Sequence, residues 1–111
     1  MLPSQANIEE FVDARGRSPF KQWFDSLVLG EAARIRIALD RLGRGAVSNV
    51  KGVGQGVLEY RIDTGPGYRI YFGRDGKRIL ILLAGGTKRR QDDDIAAAKA
   101  RWAEYKRRKT S

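Results

Sequence analysis

The strongest constraint on the fold is a pair of short segments, residues 57–62 and 68–72, in which inward and outward positions alternate. Alternation with a period of two is typical of a strand with one buried face. The five residues between them, Asp-Thr-Gly-Pro-Gly at 63–67, form a turn sequence. We therefore expect an antiparallel hairpin with one apolar face made of Leu58, Tyr60, Ile62, Tyr68, Ile70 and Phe72. The opposite face would carry Glu59, Arg61, Arg69 and Tyr71.

Further strands are predicted on either side of this hairpin. Residues 79–84 are unbroken apolar sequence, as expected of a strand that is covered on both faces. Gly85 and Gly86 are predicted to end that strand. A short first strand is predicted at 8–12, whereas the glycine-rich segment 43–56 is predicted to be a loop.

Two helices are predicted between the first strand and the hairpin. Ser18 is a suitable N-cap and Pro19 suits the first helical position. The apolar residues of 20–28 then recur at the spacing of one helix face. Gly30 is predicted to interrupt the helix, and Gly43 to end a second one. The short connection favours a helical hairpin.

A third helix is predicted after the buried strand. One of Asp92, Asp93 or Asp94 would cap it, because acidic residues suit the positive end of a helix. Its apolar stripe comprises Ile95, Ala98, Trp102 and Tyr105. The predicted fold is α+β, with a small antiparallel sheet packed against an N-terminal helical hairpin and a C-terminal helix. Residues 1–111 would form a single domain with a basic C-terminal tail at 106–111.

The composition restricts the chemistry that this chain can perform. It has no histidine and no cysteine, and its 22 basic and 13 acidic residues give a net charge of +9. The usual zinc sites, thiolate nucleophiles and histidine proton shuttles are therefore excluded, and we expect no metal and no cofactor. A strongly basic chain favours polyanionic partners. With no apolar run of about 20 residues and no signal-peptide pattern, we expect a cytoplasmic protein that does not bind to a membrane.

The hairpin predicts a specific site for an anion. If it is symmetric about Gly65, Arg61 lies opposite Arg69 and Glu59 lies opposite Tyr71. Two facing arginines repel each other unless an anion lies between them or a carboxylate such as Glu59 offsets the repulsion. The alternative is a solvated face with weak surface ion pairs.

Other basic residues could extend this site. Lys88, Arg89 and Arg90 follow the buried strand and would either close one side of the site or form a solvated turn. Lys51, in the predicted loop, and Lys106, Arg107 and Arg108, in the tail, are further candidates for binding RNA.

These motifs together resemble a known family. The stretches that carry the resemblance are 20–24, 59–62, 65–72 and 82–95. They are similar to the RelE/ParE toxin superfamily of bacterial type II toxin-antitoxin modules, and in particular to its HigB-like branch of addiction module killer proteins. The resemblance implies a microbial RNase-like fold and metal-independent cleavage of mRNA on the ribosome, which would inhibit translation.

The resemblance also implies roles for individual residues. Arg69 matches the strand arginine that contacts the scissile phosphate, and Lys88 and Arg89 match the basic pair after the last strand. Arg61 and Glu59 correspond to functional positions of the preceding strand. Glu59 is then the candidate base, with Tyr71 or Lys88 as the candidate proton donor.

The family implies partners and leaves other functions open. The partners would be a cognate antitoxin with an acidic or amphipathic segment and a helix-turn-helix pattern, the ribosome and mRNA. Operator DNA would be bound only through the antitoxin. Two alternatives remain on the same fold: a ParE-like inhibitor of DNA gyrase without nuclease activity, and a non-catalytic nucleic-acid-binding or corepressor subunit.

Overall fold

The computed structural model describes residues 6–63 and 65–110. Its elements are, in chain order, β1 (Asn7–Glu10), α1 (Pro19–Asp25), α2 (Leu29–Gly43), β2 (Val50–Gly54), β3 (Val57–Ile62), β4 (Tyr68–Asp75), β5 (Ile79–Thr87), a 3₁₀ turn (Lys88–Arg90) and α3 (Gln91–Thr110). The α+β class is confirmed. Thr64 of the predicted turn, the first five residues and Ser111 of the predicted tail lie outside the described residues.

The five strands form one sheet in the order β1-β5-β4-β3-β2. The pairs β2–β3, β3–β4 and β4–β5 are antiparallel, but β1 runs parallel to β5. The prediction of a purely antiparallel sheet was therefore wrong. β1 and β5 are separated by most of the chain, so no local turn sets their relative direction.

The two faces of the sheet are covered by different helices. One face packs against α1 and α2, and its core includes Phe20, Ile35 and Leu42 from those helices. All six apolar hairpin residues predicted to share a face belong to this core. The other face packs against α3 through Ala98 and Trp102. The predicted division of the hairpin into two faces is confirmed.

The start of α1 was predicted correctly and its end was not. The Ser18 hydroxyl accepts a hydrogen bond from the Lys21 backbone N–H at 3.0 Å, and Pro19 is the first helical residue. The helix ends at Asp25, where the Ser26 hydroxyl donates to the Trp23 carbonyl. A serine that bonds the backbone in this way competes with helix continuation. The interruption therefore precedes Gly30, which lies within α2.

Two predictions about strands were wrong because they were based on glycine residues. β2 was predicted as a loop, because three of the five residues in its neighbourhood, 52–56, are glycine and hide any alternation. Gly85 and Gly86 do not end β5, which continues to Thr87. A Cβ on Gly85 would lie 2.2 Å from the Trp23 ring, and one on Gly86 would lie 2.1 Å from Asp94 Oδ2. These glycines make room for neighbouring side chains within a strand.

The C-terminal segment is more ordered than predicted. Asp92, Asp93 and Asp94 lie inside the first turn of α3 and do not cap it, because the 3₁₀ turn leads directly into the helix at Gln91. The predicted tail 106–111 is helical as far as Thr110. None of the described helices is long and apolar enough to cross a membrane.

The end of α3 is attached to the β4–β5 turn by a charged contact. Lys109 Nζ and the Tyr105 hydroxyl both donate hydrogen bonds to the Asp75 carboxylate. The Lys109 ammonium and then the Tyr105 hydroxyl lower the pKa of Asp75 below its usual value. These contacts join residues that are about 30 positions apart in the chain.

Asp75→Asn should therefore make the protein less stable at neutral pH and less sensitive to acid. A carboxyl with a lowered folded-state pKa stabilises the fold above its unfolded pKa of about 3.9 and loses that contribution as the pH falls. Thermal unfolding should give a lower Tm for the variant at pH 7 and nearly equal values at about pH 2. Asp25→Asn, which removes an exposed i,i+4 pair with Lys21, is the control. A Tm difference that persisted in acid would contradict this account.

Candidate anion-binding site

Glu59 is the centre of the site and is a buried carboxylate, only 1% exposed. Its Oε2 accepts hydrogen bonds from the Tyr71 hydroxyl at 3.0 Å and from Gln91 Nε2 at 2.8 Å. Tyr71 lies opposite Glu59 in the β3–β4 register, and Gln91 is the first residue of α3. The carboxylate thus joins two strands to the start of the last helix.

Two cations lie against this carboxylate. Arg69 Nε is 3.7 Å from Glu59 Oε2, and Lys51 Nζ is 3.7 Å from Oε1. Lys51 lies opposite Glu59 on β2, so the strand that the sequence did not reveal supplies one member of the site. One negative and two positive charges leave the group with an excess of positive charge.

The two cations differ in their surroundings. The Lys51 side chain is 67% exposed, whereas that of Arg69 is 11% exposed. Among the described residues, no group accepts a hydrogen bond from the buried Arg69 Nε. A buried donor without a hydrogen-bond acceptor is costly, and here the positive charge of Arg69 is offset by the Glu59 carboxylate 3.7 Å away.

Tyr71 is fixed in its protonated form. Burial, and then its hydrogen bond to Glu59, raise the pKa of the Tyr71 hydroxyl well above its usual value. The hydroxyl therefore serves as a donor that orients the carboxylate.

Arg61 is next to this group but points to a different partner. The predicted register, with Arg61 opposite Arg69 and Glu59 opposite Tyr71, is confirmed. Arg61 Nε lies 3.4 Å from Asp63 Oδ1, and its side chain is about half exposed. Each arginine is thus close to a different carboxylate, which reduces the repulsion between them. The alternative of a wholly solvated face is wrong, because Glu59, Arg69 and Tyr71 are buried.

The basic turn after β5 lies at the same end of the sheet. Gly86 is paired with Arg69, and Gln91, which contacts Glu59, follows directly after the turn. Lys88, Arg89 and Arg90 are exposed there and, with 91–93, line a surface depression of about 370 Å³. Arg90 Nη2 lies 4.0 Å from Asp93 Oδ2.

The predicted RNA-binding residues of the C-terminus lie elsewhere. Lys106 is 15 residues after Gln91 in the same helix, which corresponds to about 22 Å. Its Nζ is 5.8 Å from the Trp102 ring centroid. Arg107 and Arg108 both pair with Glu104, and Arg108 also donates to the Val12 carbonyl. Arg108 joins α3 to the segment that follows β1, and these three residues lie away from the Glu59 group.

Comparison with known proteins gives one close relative. No family model matches the chain. Over 81 residues it is 41% identical to an uncharacterized protein of Haemophilus influenzae, and the match covers 72% of this chain and 82% of the relative. The chain belongs to that protein's family. Because this relative is itself uncharacterized, membership of the family assigns no activity.

In this member of the family, the structure places two residues at the candidate site that the sequence analysis did not assign to it. Gln91 is the second hydrogen-bond donor to Glu59. Asp94 is a partly buried carboxyl beside Gly86, and burial raises its pKa. The signal available for Asp94 was the Gly-Gly pair before a polar helix start, because such a pair allows close approach of another group. No signal in the sequence indicated Gln91.

The site has no arrangement of ligands suited to a metal ion. In the part of the chain that the structure describes, no group of three or more carboxylates could hold one. The chemistry of this site is that of arginine and lysine held around the buried Glu59 carboxylate, with the Asp94 carboxyl nearby, and such cations can bind and polarise an anion such as a phosphodiester.

Proposed function

We propose that this protein is the toxin of a type II toxin-antitoxin module and that it cleaves mRNA on the ribosome. The observation that carries the proposal is the Arg69 guanidinium, which lies 3.7 Å from the buried Glu59 at the same end of the sheet as the exposed basic turn Lys88–Arg90. The resemblance of the sequence to the RelE/ParE superfamily supports the same reading, including its finer assignment of the fold. In this proposal a phosphate oxygen of RNA contacts the exposed part of the Arg69 guanidinium, whose side chain is 11% exposed.

The proposed reaction uses positive charge that is already in position. The RNA 2′-hydroxyl loses its proton to water as its oxygen bonds to the adjacent phosphorus, and the bond from phosphorus to the 5′-oxygen breaks as that oxygen takes a proton from Lys88. Arg69, Lys88 and Arg89 stabilise the negative charge of the crowded phosphorus intermediate. One such donor contributes about 3 kcal/mol to transition-state stabilisation.

The remaining residues have supporting roles in this proposal. Glu59 holds Arg69 and Tyr71 in place, since its Oε2 already accepts two hydrogen bonds. Tyr71 keeps its proton because its pKa is raised. Lys88, which is exposed at the edge of the site, is the proposed proton donor to the leaving oxygen, and Lys51 neutralises the incoming phosphate.

The test is to induce the protein in a bacterium and map transcript ends. We expect growth arrest with new ends inside translated reading frames. The Lys88→Ala/Arg89→Ala variant should reduce cleavage at least 100-fold. Both side chains are exposed, so their removal leaves the core unchanged. Arg69→Ala should abolish cleavage. Arg15→Ala, which alters an exposed loop arginine, is the control and should cleave normally. Arrest with intact transcripts would contradict the proposal.

A second candidate is a toxin that binds its target without cleaving RNA, such as a ParE-like gyrase inhibitor. The observation that favours it is that Glu59 is occupied by Tyr71, Gln91 and two nearby cations. Because Oε2 already accepts two hydrogen bonds, it is not positioned to take the proton of an RNA 2′-hydroxyl. Growth arrest with DNA damage, filamentation and whole transcripts would support this candidate. A protein that caused no arrest would instead fit a binding or corepressor subunit.

The proposed partner is an antitoxin that carries an acidic or amphipathic segment. A disordered segment that folds on binding would suit a basic surface of this kind. In this proposal operator DNA is bound through the antitoxin alone. Co-expression of the adjacent small open reading frame with the toxin should restore growth, and failure to do so would remove that partner.

A further inference from the structure

A second basic groove lies beside the candidate site, at the edge of the sheet between α2 and β3. It has a volume of about 340 Å³ and is lined by Arg34, Ile37, Ala38, Arg41, Asn49, Tyr60, Arg61, Ile62 and Asp63. We call it the α2 groove. Three of its lining residues are arginines and one is acidic, so its walls have a net positive charge.

The arginines of the α2 groove are arranged in a row. Arg34 and Arg41 are seven residues apart on α2, which places them on the same side of the helix about 10 Å apart. The Arg41 guanidinium is close enough to the Tyr60 hydroxyl to act on its pKa. Arg34 Nη1 is 3.5 Å from Glu31 Oε1, and Arg61 Nε is 3.4 Å from Asp63 Oδ1. All three arginine side chains are thus within reach of the groove, and the exposed Arg61–Asp63 pair contributes little on its own, so it can exchange with an incoming anion.

The groove is continuous with the Arg69 site through Arg61. Arg61 lines the groove and also lies directly opposite Arg69 in the β3–β4 register. A row of guanidinium groups therefore leads from Arg69 around the sheet edge to α2. Planar guanidinium groups match the oxygens of phosphate, and a positive row beside apolar side chains such as Ile37 suits a single strand with its phosphates and sugars.

We propose that the α2 groove binds the phosphate backbone of single-stranded RNA that extends beyond the segment held at Arg69. The choice of RNA as the ligand rests on the proposed function. The groove would add affinity for a long strand and none for a short one, because a short strand fills only the Arg69 site.

The test measures the binding of fluorescein-labelled oligouridylates, a trimer and a dodecamer, by fluorescence anisotropy. The Arg34→Gln/Arg41→Gln variant should bind the dodecamer about tenfold more weakly than the unchanged protein does, as expected for the loss of charged contacts. The slope of log K against log salt should become shallower by about 1.4, since each phosphate contact on a single strand contributes about 0.7. Binding of the trimer should not change.

The matched control is Arg36→Gln/Arg44→Gln. It removes the same charge from α2 and its C-cap residue, but these two arginines line a different surface beside β1. Arg36 lies over the Phe24 ring, and Arg44 Nε is 3.0 Å from Asp40 Oδ2. The affinity of the control for the dodecamer should be within about twofold of that of the unchanged protein. Two charges far from the RNA affect binding only through long-range attraction, which salt screens.

Three outcomes would overturn the inference. Equal weakening by both pairs of substitutions would mean that only net charge matters. If Arg34→Gln/Arg41→Gln did not change the affinity for the dodecamer, the groove would not be a binding site for RNA. If polyglutamate bound more tightly than the dodecamer, and this binding required Arg34 and Arg41, the ligand of the groove would be an acidic protein. Failure of the proposed function would give a different result from failure of this inference. Lys88→Ala/Arg89→Ala would then leave the affinity for the trimer unchanged.

Discussion

Gly73→Ala should destabilise the protein by about 2 kcal/mol, because this position in β4 has no room for a methyl group. An added Cβ would lie 2.6 Å from three ring atoms of Trp102. That ring is 6% exposed and stacks on Tyr105 with a centroid distance of 5.2 Å, so it has little freedom to move. Thermal unfolding should show a Tm lower by roughly 8 °C, at about 4 °C for each kcal/mol.

Two further variants separate this clash from other effects of replacing a strand glycine. Gly52→Ala on β2 introduces the same methyl group where no atom lies within 4 Å, and it should change stability by less than about 0.5 kcal/mol. In a Trp102→Leu background the cost of Gly73→Ala should fall below about 1 kcal/mol, since the smaller side chain makes space. An equal cost in both backgrounds would show that the ring is not responsible.

The sequence was most informative where the structure is local. Alternation and a turn centred on Gly65 were sufficient to predict that Arg61 lies opposite Arg69 and Glu59 opposite Tyr71, and both pairs are confirmed. A slip of one residue would have turned six apolar side chains away from the helices. The register of this hairpin was therefore determined by its own residues.

Long-range contacts account for what the sequence did not reveal. β1 and β5 are far apart in the chain, so their parallel pairing left no local pattern. Gly85 was interpreted as a strand end, although its role is to accommodate the Trp23 ring from α1. The burial of Glu59 and its bond to Gln91 require α3 to pack on the sheet. Charge and hairpin register thus predicted the strand residues of the site, but not the helix residue that completes it.

Glu59→Gln should have the largest effect on stability, a loss of about 3 kcal/mol and more than 10 °C in Tm. The substitution keeps the shape of the side chain but removes the charge that lies 3.7 Å from Arg69 Nε. Arg69 would then be a largely buried cation without a carboxylate beside it. The amide oxygen can still accept from Tyr71 and Gln91, which both donate to Oε2, but its NH2 group would then face the Lys51 ammonium at the position of Oε1.

The other partners of Glu59 provide a graded series for this prediction. Tyr71→Phe removes one hydrogen bond to the carboxylate and should cost about 1.5 kcal/mol. Lys51→Ala removes a cation whose side chain is 67% exposed, and it should cost less than about 1 kcal/mol. Denaturant unfolding of the three variants should therefore rank Glu59→Gln first and Lys51→Ala last. Equal losses of stability in Lys51→Ala and Glu59→Gln would contradict this account. They would mean that the exposed Lys51–Glu59 pair stabilises the site, and not the buried Arg69–Glu59 pair.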